Sequence, residues 1–167
     1  MGKVLMIIAP RNFRDEELFH TKEELGASGN DVTISSTTRN TATGMLGGTV
    51  TPDITIDEVN VDDYDAVVFV GGSGSSIYFN NTKAHEIARD AYNKGKVIGA
   101  ICIAPSTLAN AGLLKGKRAT SYPSEESNLR AKGAIYTGRP VEKDGKIITA
   151  DGPSSARVFG RMIASSL

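Results

Sequence analysis

The sequence lacks several features that define whole classes of proteins. It contains no tryptophan, only two histidines (His20 and His85) and a single cysteine, Cys102. A single cysteine excludes an intramolecular disulfide framework and a metal site built from several thiolates. Two histidines leave little for a zinc site of the common kinds, so we expect no metal site.

An excess of one charge and long apolar runs are missing as well. Nineteen basic residues balance nineteen acidic ones, so no overall field attracts nucleic acid or an anionic membrane. The first apolar run, Val4–Ala9, is too short for a membrane-spanning helix or a signal sequence. No later run reaches the length of about 18 residues that a span needs. We expect a cytoplasmic protein with neither a nucleic-acid nor a membrane partner.

What the chain does contain is typical of a globular domain. Its 167 residues are 40% hydrophobic and 23% charged, and they are too few for two ordinary domains. A chain of this length buries roughly 70% of the surface that its unfolded form exposes, which is enough for a self-sufficient core. The sequence therefore predicts one domain over residues 1–167.

Strand-like and helix-like segments alternate along the chain. Apolar or alternating runs predict strands over Val4–Ala9, Asp31–Ser36, Asp65–Val70, Val97–Ile101, Arg118–Ser121 and Ala134–Tyr136, with an irregular β segment over Thr41–Asp53. Asp144-Gly145 predicts a hairpin between Val141–Lys143 and Lys146–Ala150. Helical spacing and end signals predict helices over Asp15–Ala27, Thr82–Lys94, Ala104–Ala111 and Pro153–Ser166. This alternation predicts an α/β fold, with helices on both faces of a mostly parallel sheet.

Three candidate segments follow predicted strands. They are Pro10–Glu17 after the first strand, Gly71–Ser76 after Asp65–Val70, and Cys102 after Val97–Ile101. In open α/β sheets, ligands bind beyond the carboxyl ends of the strands. The sequence therefore predicts that the functional site lies where these three segments meet.

Cys102 occupies the junction between a predicted strand and a predicted helix. The small residues Ala100 and Ala104 stand two positions before and after it. A nucleophile elbow requires that spacing, because its sharp turn presses those positions against neighbouring backbone. N–H groups at the start of the helix would lower the thiol pKa. The alternative is a buried cysteine acting as a small hydrophobic side chain, but the position and the flanking alanines favour a reactive thiol.

The glycine-rich segment Gly71–Ser76 (GGSGSS) lies between a predicted strand and a predicted helix. Its free N–H groups can bind an anion or an oxyanion, or it is only a tight turn. It is not a Walker loop, since no Gly-Lys-Ser/Thr follows, and Ile77 replaces the third glycine of a dinucleotide fingerprint.

Carboxylates and a histidine follow the first strand. Asp15 and Glu16 fit a solvated first helical turn. Glu17 differs if the helix turns it inward beside Cys102. His20 lies one turn later, and it either reaches the same pocket or is packed or exposed on the helix. His85 is expected to face solvent.

Several segments resemble the ThiJ/PfpI superfamily in order and spacing. They are KVLMIIAP…DEEL, YDAVVFVGG, GKVIGAICIAPSTLANAGLLKGKRATSYP, DGKIITADGP and the closing helix, and together they cover nearly the whole chain. The resemblance implies a flavodoxin-like three-layer sandwich of the class I glutamine amidotransferase-like type. It also implies a nucleophile at Cys102, an acidic partner at Glu17 and an oxyanion amide from Gly72 and Ser73, with Ile103 following the nucleophile.

The chain departs from one branch of the superfamily more than from the other. The protease branch has histidine directly after its cysteine, where this chain has Ile103, and a carboxylate from the neighbouring subunit near the position of Ser76. The deglycase-chaperone branch has a small apolar residue after its cysteine and a histidine where this chain has Tyr122. The ICIAP and ADGP segments look more like this second branch, and Tyr122 is a further candidate pocket residue.

The resemblance implies a cofactor-independent hydrolase of glyoxalase or deglycase type that acts on a small carbonyl substrate. Cys102 would add to a 2-oxoaldehyde, Glu17 would move protons, and the amides of Ser73 and Ile103 would hold the oxyanion. One alternative is a redox-sensing stress chaperone in which Cys102 is oxidised to sulfinic acid. Others are an intracellular cysteine protease or amidase, which Ile103 disfavours, and a non-catalytic dimeric scaffold. The superfamily also implies a homodimer or a higher homo-oligomer.

Overall fold

The computed structural model describes residues 2–167. The strands are β1 (Lys3–Ile7), β2 (Arg11–Phe13), β3 (Asp31–Ser36), β4 (Ala42–Gly44), β5 (Thr49–Val50), β6 (Ile54–Thr55), β7 (Ala66–Phe69), β8 (Val97–Ile101), β9 (Arg118–Ala119), β10 (Ile135–Tyr136), β11 (Val141–Asp144) and β12 (Ile147–Ala150). The helices are α1 (Asp15–Ala27), α2 (Thr82–Asn93), α3 (Pro105–Asn110), α4 (Glu126–Ala131) and α5 (Ala156–Ser165).

The main sheet has seven strands in the order β11-β12-β8-β7-β1-β3-β6. All neighbouring strands in it are parallel except β11 and β12, which form the predicted antiparallel hairpin. Apolar residues of α1 and α5 pack on one face, and those of α2, α3 and α4 pack on the other. The predicted α/β architecture, a mostly parallel sheet between two helical layers, is confirmed.

The central strands explain why the core has two halves. Strands β7 and β8 are buried over their whole length, as is β1 from Val4 onward. Successive side chains of a strand point to opposite faces. In β1, Leu5 and Ile7 therefore join the core beneath α2, while Val4 and Met6 join the core beneath α1 and α5.

The structure differs from the sequence-based expectation in several short elements. The strand predicted over Arg118–Ser121 ends at Ala119 and lies outside the main sheet, paired with β10. Helix α4 was not predicted, because Leu129 is its only buried residue and so gives no periodic signal. Strand β2 was not predicted either; it pairs with β4 in a small side sheet, where β4 and β5 account for part of the irregular β segment.

The topology brings the three candidate segments to one edge. From β1 the chain proceeds to β3 on one side of the sheet, and from β7 it proceeds to β8 on the other. The carboxyl ends of β1, β7 and β8 therefore lie side by side at the point where the strand order reverses, the usual position for a ligand in such sheets. Among residues 2–167, no helix is both long and apolar enough to cross a membrane.

Candidate active site

Cys102 lies on a sharp turn between β8 and α3. Its backbone is left-handed, with φ of 66°, which is unusual for a residue other than glycine. The turn is held on both sides: Cys102 N–H donates to the Ala150 carbonyl at 2.9 Å, and the Cys102 carbonyl accepts from Tyr122 N–H at 2.7 Å. The flanking Ala100 and Ala104 are buried. This is the geometry of a nucleophile elbow, in which such strain persists because the surrounding contacts enforce it.

Glu17 lies on the first turn of α1 and is completely buried. Its carboxyl group faces the Cys102 thiol and the Gly71 N–H. Neither contact reaches good hydrogen-bond geometry, and among the described residues both carboxyl oxygens are left without a well-formed partner. A buried carboxyl group without full hydrogen bonding is costly, and positions of this kind are frequent at functional sites.

Two glycines allow the backbone to approach this pair. A Cβ at Gly71 would lie 2.5 Å from Glu17 Oε1 and 2.6 Å from Cys102 Cβ. Gly72 has a φ of 101°, and a Cβ there would lie only 2.5 Å from the Asn12 carbonyl oxygen. The glycine-rich segment is therefore more than a surface turn: a side chain at Gly71 would collide with Glu17 and Cys102, and one at Gly72 would collide with the backbone that leads into α1.

Burial dominates the electrostatics of Glu17. Removal from water raises the pKa of Glu17 to about 8, although its contacts with Cys102 and with the Gly71 N–H lower the pKa. At neutral pH the carboxyl group therefore holds its proton. It can act as an acid or, once ionised, as a base close to the physiological pH range.

The thiol does not follow the sequence-based expectation of a lowered pKa. Burial, followed by the negative charge of Glu17, raises the pKa of Cys102, while the N–H groups of Gly72 and Ile103 lower it. The expectation relied on the dipole of the following helix, but α3 has only six residues, and the burial of the thiol could not be measured from sequence. Cys102 and Glu17 interact closely, so they titrate as a pair. When the first proton dissociates, the negative charge that remains is distributed between the sulfur and the carboxyl group.

A cavity of about 450 Å³ opens over this pair. The structure brings together in its wall six of the residues singled out in the sequence: Glu17, Gly72, Ser73, Cys102, Ile103 and Tyr122. Ser76 lies there too, as a hydroxyl where the protease branch is expected to have a carboxylate. No three His, Cys, Asp or Glu side chains within residues 2–167 are grouped so as to hold a metal ion.

Both histidines lie away from the thiol. His20 lines two neighbouring depressions instead, one of them with Glu16 and Arg157, and does not contribute to the wall of the Cys102 cavity. The His85 ring contacts the Phe79 carbonyl at 2.7 Å through Nε2. Sequence spacing allowed His20 to share the pocket, but the structure separates it from Cys102.

The cavity wall contains six further residues to which the sequence assigned no individual role: Arg14, Met45, Phe79, Ser124, Glu125 and Pro153. Most come from loops far from Cys102 in sequence, so no local motif points to them. Met45 has the clearest role, because its Sδ accepts the Ser73 N–H at 3.5 Å. A thioether is a weak acceptor, and a substrate oxygen placed there would be a stronger one.

Asp15 explains how the Met45 loop is held. Its carboxylate accepts the Leu46 N–H at 2.8 Å and the Gly48 N–H at 2.7 Å. Asp15 is itself buried. The expectation of a solvated first-turn carboxylate is therefore wrong for Asp15, which ties a distant loop to the start of α1. Glu16 does lie at the surface, where it pairs with Arg14.

The fold and the site together define an α/β protein with a nucleophile elbow, whose cysteine faces a buried carboxyl group. The chain matches the model of the DJ-1/PfpI family over residues 2–166. It therefore belongs to the DJ-1/PfpI family, and the resemblance to the ThiJ/PfpI superfamily is confirmed.

Relatives from archaea and animals are similar over nearly the whole chain. Uncharacterized protein MJ0967 of Methanocaldococcus jannaschii is 49% identical over 169 residues, which cover 99% of this chain and 82% of that protein. Deglycase PfpI of Pyrococcus furiosus is 35% identical over 157 residues, which cover 94% of this chain and 95% of that protein. The crystal structure of Drosophila melanogaster DJ-1beta is 31% identical, with a TM-score of 0.91 over 99% of this chain and 89% of that chain.

Proposed function

We propose that this protein is a cysteine-dependent hydrolase of deglycase or glyoxalase type, which acts on 2-oxoaldehydes or on their adducts with amines. The observation that carries the proposal is the buried Glu17 carboxyl group facing the thiol of Cys102 at a nucleophile elbow. Archaeal relatives named deglycase, about one-third identical over more than nine-tenths of the chain, support the same class of reaction.

The first step requires that Cys102 and Glu17 together hold one proton. In the reactive form, Cys102 is the thiolate and Glu17 the carboxylic acid. The sulfur attacks the aldehyde carbon, the C–S bond forms, the carbonyl π bond opens, and Glu17 gives its proton to the carbonyl oxygen. The product is a hemithioacetal next to an ionised Glu17. With an amine adduct, the thiolate attacks the carbon that carries the amine, the C–S bond forms as the C–N bond breaks, and Glu17 gives its proton to the departing amine nitrogen.

The second step uses the carboxylate that the first step produced. Glu17 removes the proton from the carbinol carbon and returns a proton to the neighbouring carbonyl carbon, while the carbinol hydroxyl proton passes to the neighbouring oxygen. These transfers convert the hemithioacetal into a thioester of a 2-hydroxy acid. Water then cleaves the thioester and restores the Cys102 thiol. The aldehyde carbon is oxidised while its neighbour is reduced, so the sequence needs no external oxidant or reductant. A single acid–base group is sufficient for the two proton transfers at carbon.

Backbone N–H groups supply the remaining stabilisation. Those of Gly72 and Ile103 face the sulfur and favour its thiolate form. The N–H of Ser73, held only by the Met45 thioether, is available to a carbonyl oxygen that acquires negative charge. All three belong to the rigid turns that follow β7 and β8, so they need little reorganisation during the reaction.

Peptide hydrolysis fits the site less well. Expulsion of an amine from a peptide requires a proton donor, which in cysteine enzymes is usually an imidazole. No histidine among residues 2–167 lines the Cys102 cavity. Ile103 and Ser76 occupy the positions at which the protease branch is expected to carry histidine and a carboxylate. We therefore expect little or no cleavage of peptides.

The proposal is tested by following three reactions with the same purified protein. The substrates are methylglyoxal, a fluorogenic peptide and hydrogen peroxide. We expect catalytic consumption of methylglyoxal that is lost in Cys102→Ala and strongly reduced in Glu17→Gln. The control His20→Ala lies outside the cavity and should keep full activity.

Two results would overturn the proposal. Uptake of one equivalent of peroxide without turnover of methylglyoxal would favour the redox-sensing alternative. Peptide cleavage that disappears in Cys102→Ala would favour a protease, and its loss in His20→Ala would identify the missing imidazole.

A further inference from the structure

The cavity contains a second carboxylate for which the proposed reaction has no use. Glu125 lies in the wall with Tyr122 and Ser124, on a segment unrelated to the elbow or to α1. We propose that Glu125 binds a positively charged group of the substrate and so directs Cys102 toward carbonyl compounds that carry an ammonium or guanidinium group. This inference rests on the proposed function and names the substrate class within it.

Two hydroxyl groups hold the Glu125 carboxylate in place. Ser106 Oγ donates to Oε1 at 2.7 Å, and Ser124 Oγ donates to Oε2 at 2.8 Å. Ser106 is buried and also accepts the Asn128 side-chain amide at 3.1 Å, which leaves its single hydroxyl proton for Glu125. Asn128 is fixed in turn by Asn110 at 3.0 Å. The carboxylate is thus oriented in advance of binding, as a recognition group requires.

The negative charge of Glu125 is not balanced by a neighbouring cation. None of the ion pairs within residues 2–167 includes Glu125. The only basic side chain in the cavity wall, Arg14, is engaged by both oxygens of Glu16, at 2.9 and 3.1 Å. Apart from the Glu17–Cys102 pair, the other lining side chains are apolar or carry hydroxyls. A charge in a partly apolar cleft acts more strongly than one in water, so Glu125 attracts cations and repels anions.

The size of the cavity agrees with a substrate larger than a simple aldehyde. A volume of about 450 Å³ is typical of small-molecule sites. A three-carbon 2-oxoaldehyde bound at Cys102 would fill only a small part of it. The remaining space, bordered by Phe79 and Tyr122 and carrying the charge of Glu125, suits the amine portion of an adduct. The site therefore favours amine-bearing substrates over the free aldehyde.

Thiol-specific reagents of opposite charge measure this property without depending on turnover. Cationic 2-(trimethylammonio)ethyl and anionic 2-sulfonatoethyl methanethiosulfonate modify a thiolate by the same displacement of methanesulfinate. Cys102 is the only cysteine, so each rate reports this cavity alone. Each rate is divided by the rate of the same reagent with 2-mercaptoethanol. The ratio of the cationic to the anionic normalised rate is then independent of the fraction of Cys102 that is thiolate. We expect the cationic reagent to be favoured, and the ratio to fall about tenfold in Glu125→Gln.

Two variants serve as controls for charge and for position. Glu125→Asp keeps the carboxylate and should retain most of the preference. Glu126→Gln removes the adjacent carboxylate, which pairs with Arg130 at 2.8 Å and is absent from the cavity wall, and should leave the ratio unchanged. A ratio that is the same in wild type and Glu125→Gln, or that falls equally in Glu126→Gln, would overturn the inference.

Turnover of three related substrates then separates this inference from the proposed function. The probes are phenylglyoxal and its 4-trimethylammonio and 4-carboxy derivatives. In Glu125→Gln we expect kcat/KM to fall about tenfold for the cationic probe, chiefly through KM, to change less than about twofold for the neutral probe, and to rise for the anionic one. If wild-type protein consumes none of the three, the proposed function fails, while the methanethiosulfonate ratio still decides the role of Glu125.

Discussion

Gly71 packs against Glu17 so closely that a Cβ at Gly71 would come within 2.5 Å of Glu17 Oε1. The same Cβ would lie 2.5 Å from the Ile101 carbonyl oxygen, which is rigid backbone of β8. The contact therefore fixes the distance between two neighbouring strands and the position of the buried carboxyl group. Position 71 therefore requires glycine as strictly as a left-handed turn does, although the φ of Gly71 is not in the left-handed region.

Gly71→Ala should consequently destabilise the protein and displace Glu17 from the thiol. We expect a loss of about 1–3 kcal/mol in the free energy of unfolding, as for other overpacked positions, and slower alkylation of Cys102 by iodoacetamide. The matched substitution Gly26→Ala, at a helical glycine with nothing within 4 Å of the added Cβ, should raise stability by about 0.5–1 kcal/mol. Equal stability of the two variants would contradict this account of Gly71.

The raised pKa of Glu17 makes stability depend on pH with a definite sign. The folded protein keeps the Glu17 proton up to a pH of about 8, whereas the unfolded chain releases it near 4.5. Between these values the folded state binds more protons, so the free energy of unfolding falls as pH rises, by at most roughly 1.4 kcal/mol per pH unit. The contribution is fully present below pH 4.5 and lost above about 8.

Denaturant unfolding of wild type and Glu17→Gln at several pH values between about 5 and 8 measures this effect. We expect the difference in stability between the two proteins to grow in favour of Glu17→Gln as pH rises, because glutamine does not ionise. Parallel pH profiles would mean that Glu17 is already ionised in the folded protein at neutral pH.

The left-handed backbone of Cys102 predicts an unusual order of two variants. Cys102→Ala and Cys102→Gly both remove the sulfur, but only glycine removes the Cβ that makes a φ of 66° unfavourable. We expect Cys102→Gly to be the more stable by about 1 kcal/mol. At Ala104, where φ is −61°, a change to glycine should instead lower stability by about 0.5–1 kcal/mol. If Cys102→Gly unfolds at a lower denaturant concentration than Cys102→Ala, the elbow is not strained.

Asp15 should control the loop that carries Met45. In Asp15→Asn, one of the two oxygens that accept the Leu46 and Gly48 N–H groups becomes an amide NH₂. One hydrogen bond is then lost, because that NH₂ group and the backbone N–H opposite it are both donors. We expect a loss of about 1–3 kcal/mol in stability and faster hydrogen exchange at both amides. Glu16→Gln, at the surface pair with Arg14, should cost less than about 1 kcal/mol. Unchanged exchange at both amides would show that Asp15 does not hold the loop.

The sequence by itself determined the layered fold. Continuous apolar runs such as Val97–Ile101 and the glycine-terminated amphipathic helix near Thr82–Lys94 predicted elements that the structure contains almost residue for residue. Strand-to-helix junctions then identified Cys102 and the Gly71–Ser76 segment, because the carboxyl ends of parallel strands share one edge. These signals are local, and a few neighbouring residues are sufficient to carry them.

Tertiary structure alone decided the chemistry around the thiol. Burial, which raises the pKa values of Cys102 and Glu17, depends on elements from the whole chain and has no local signature. The same holds for Glu125, which reaches the cavity through the short turn before α4, and for His20, which lines other depressions. Short-range spacing predicts which residues can be neighbours on one element, but contacts between distant segments depend on how those elements pack.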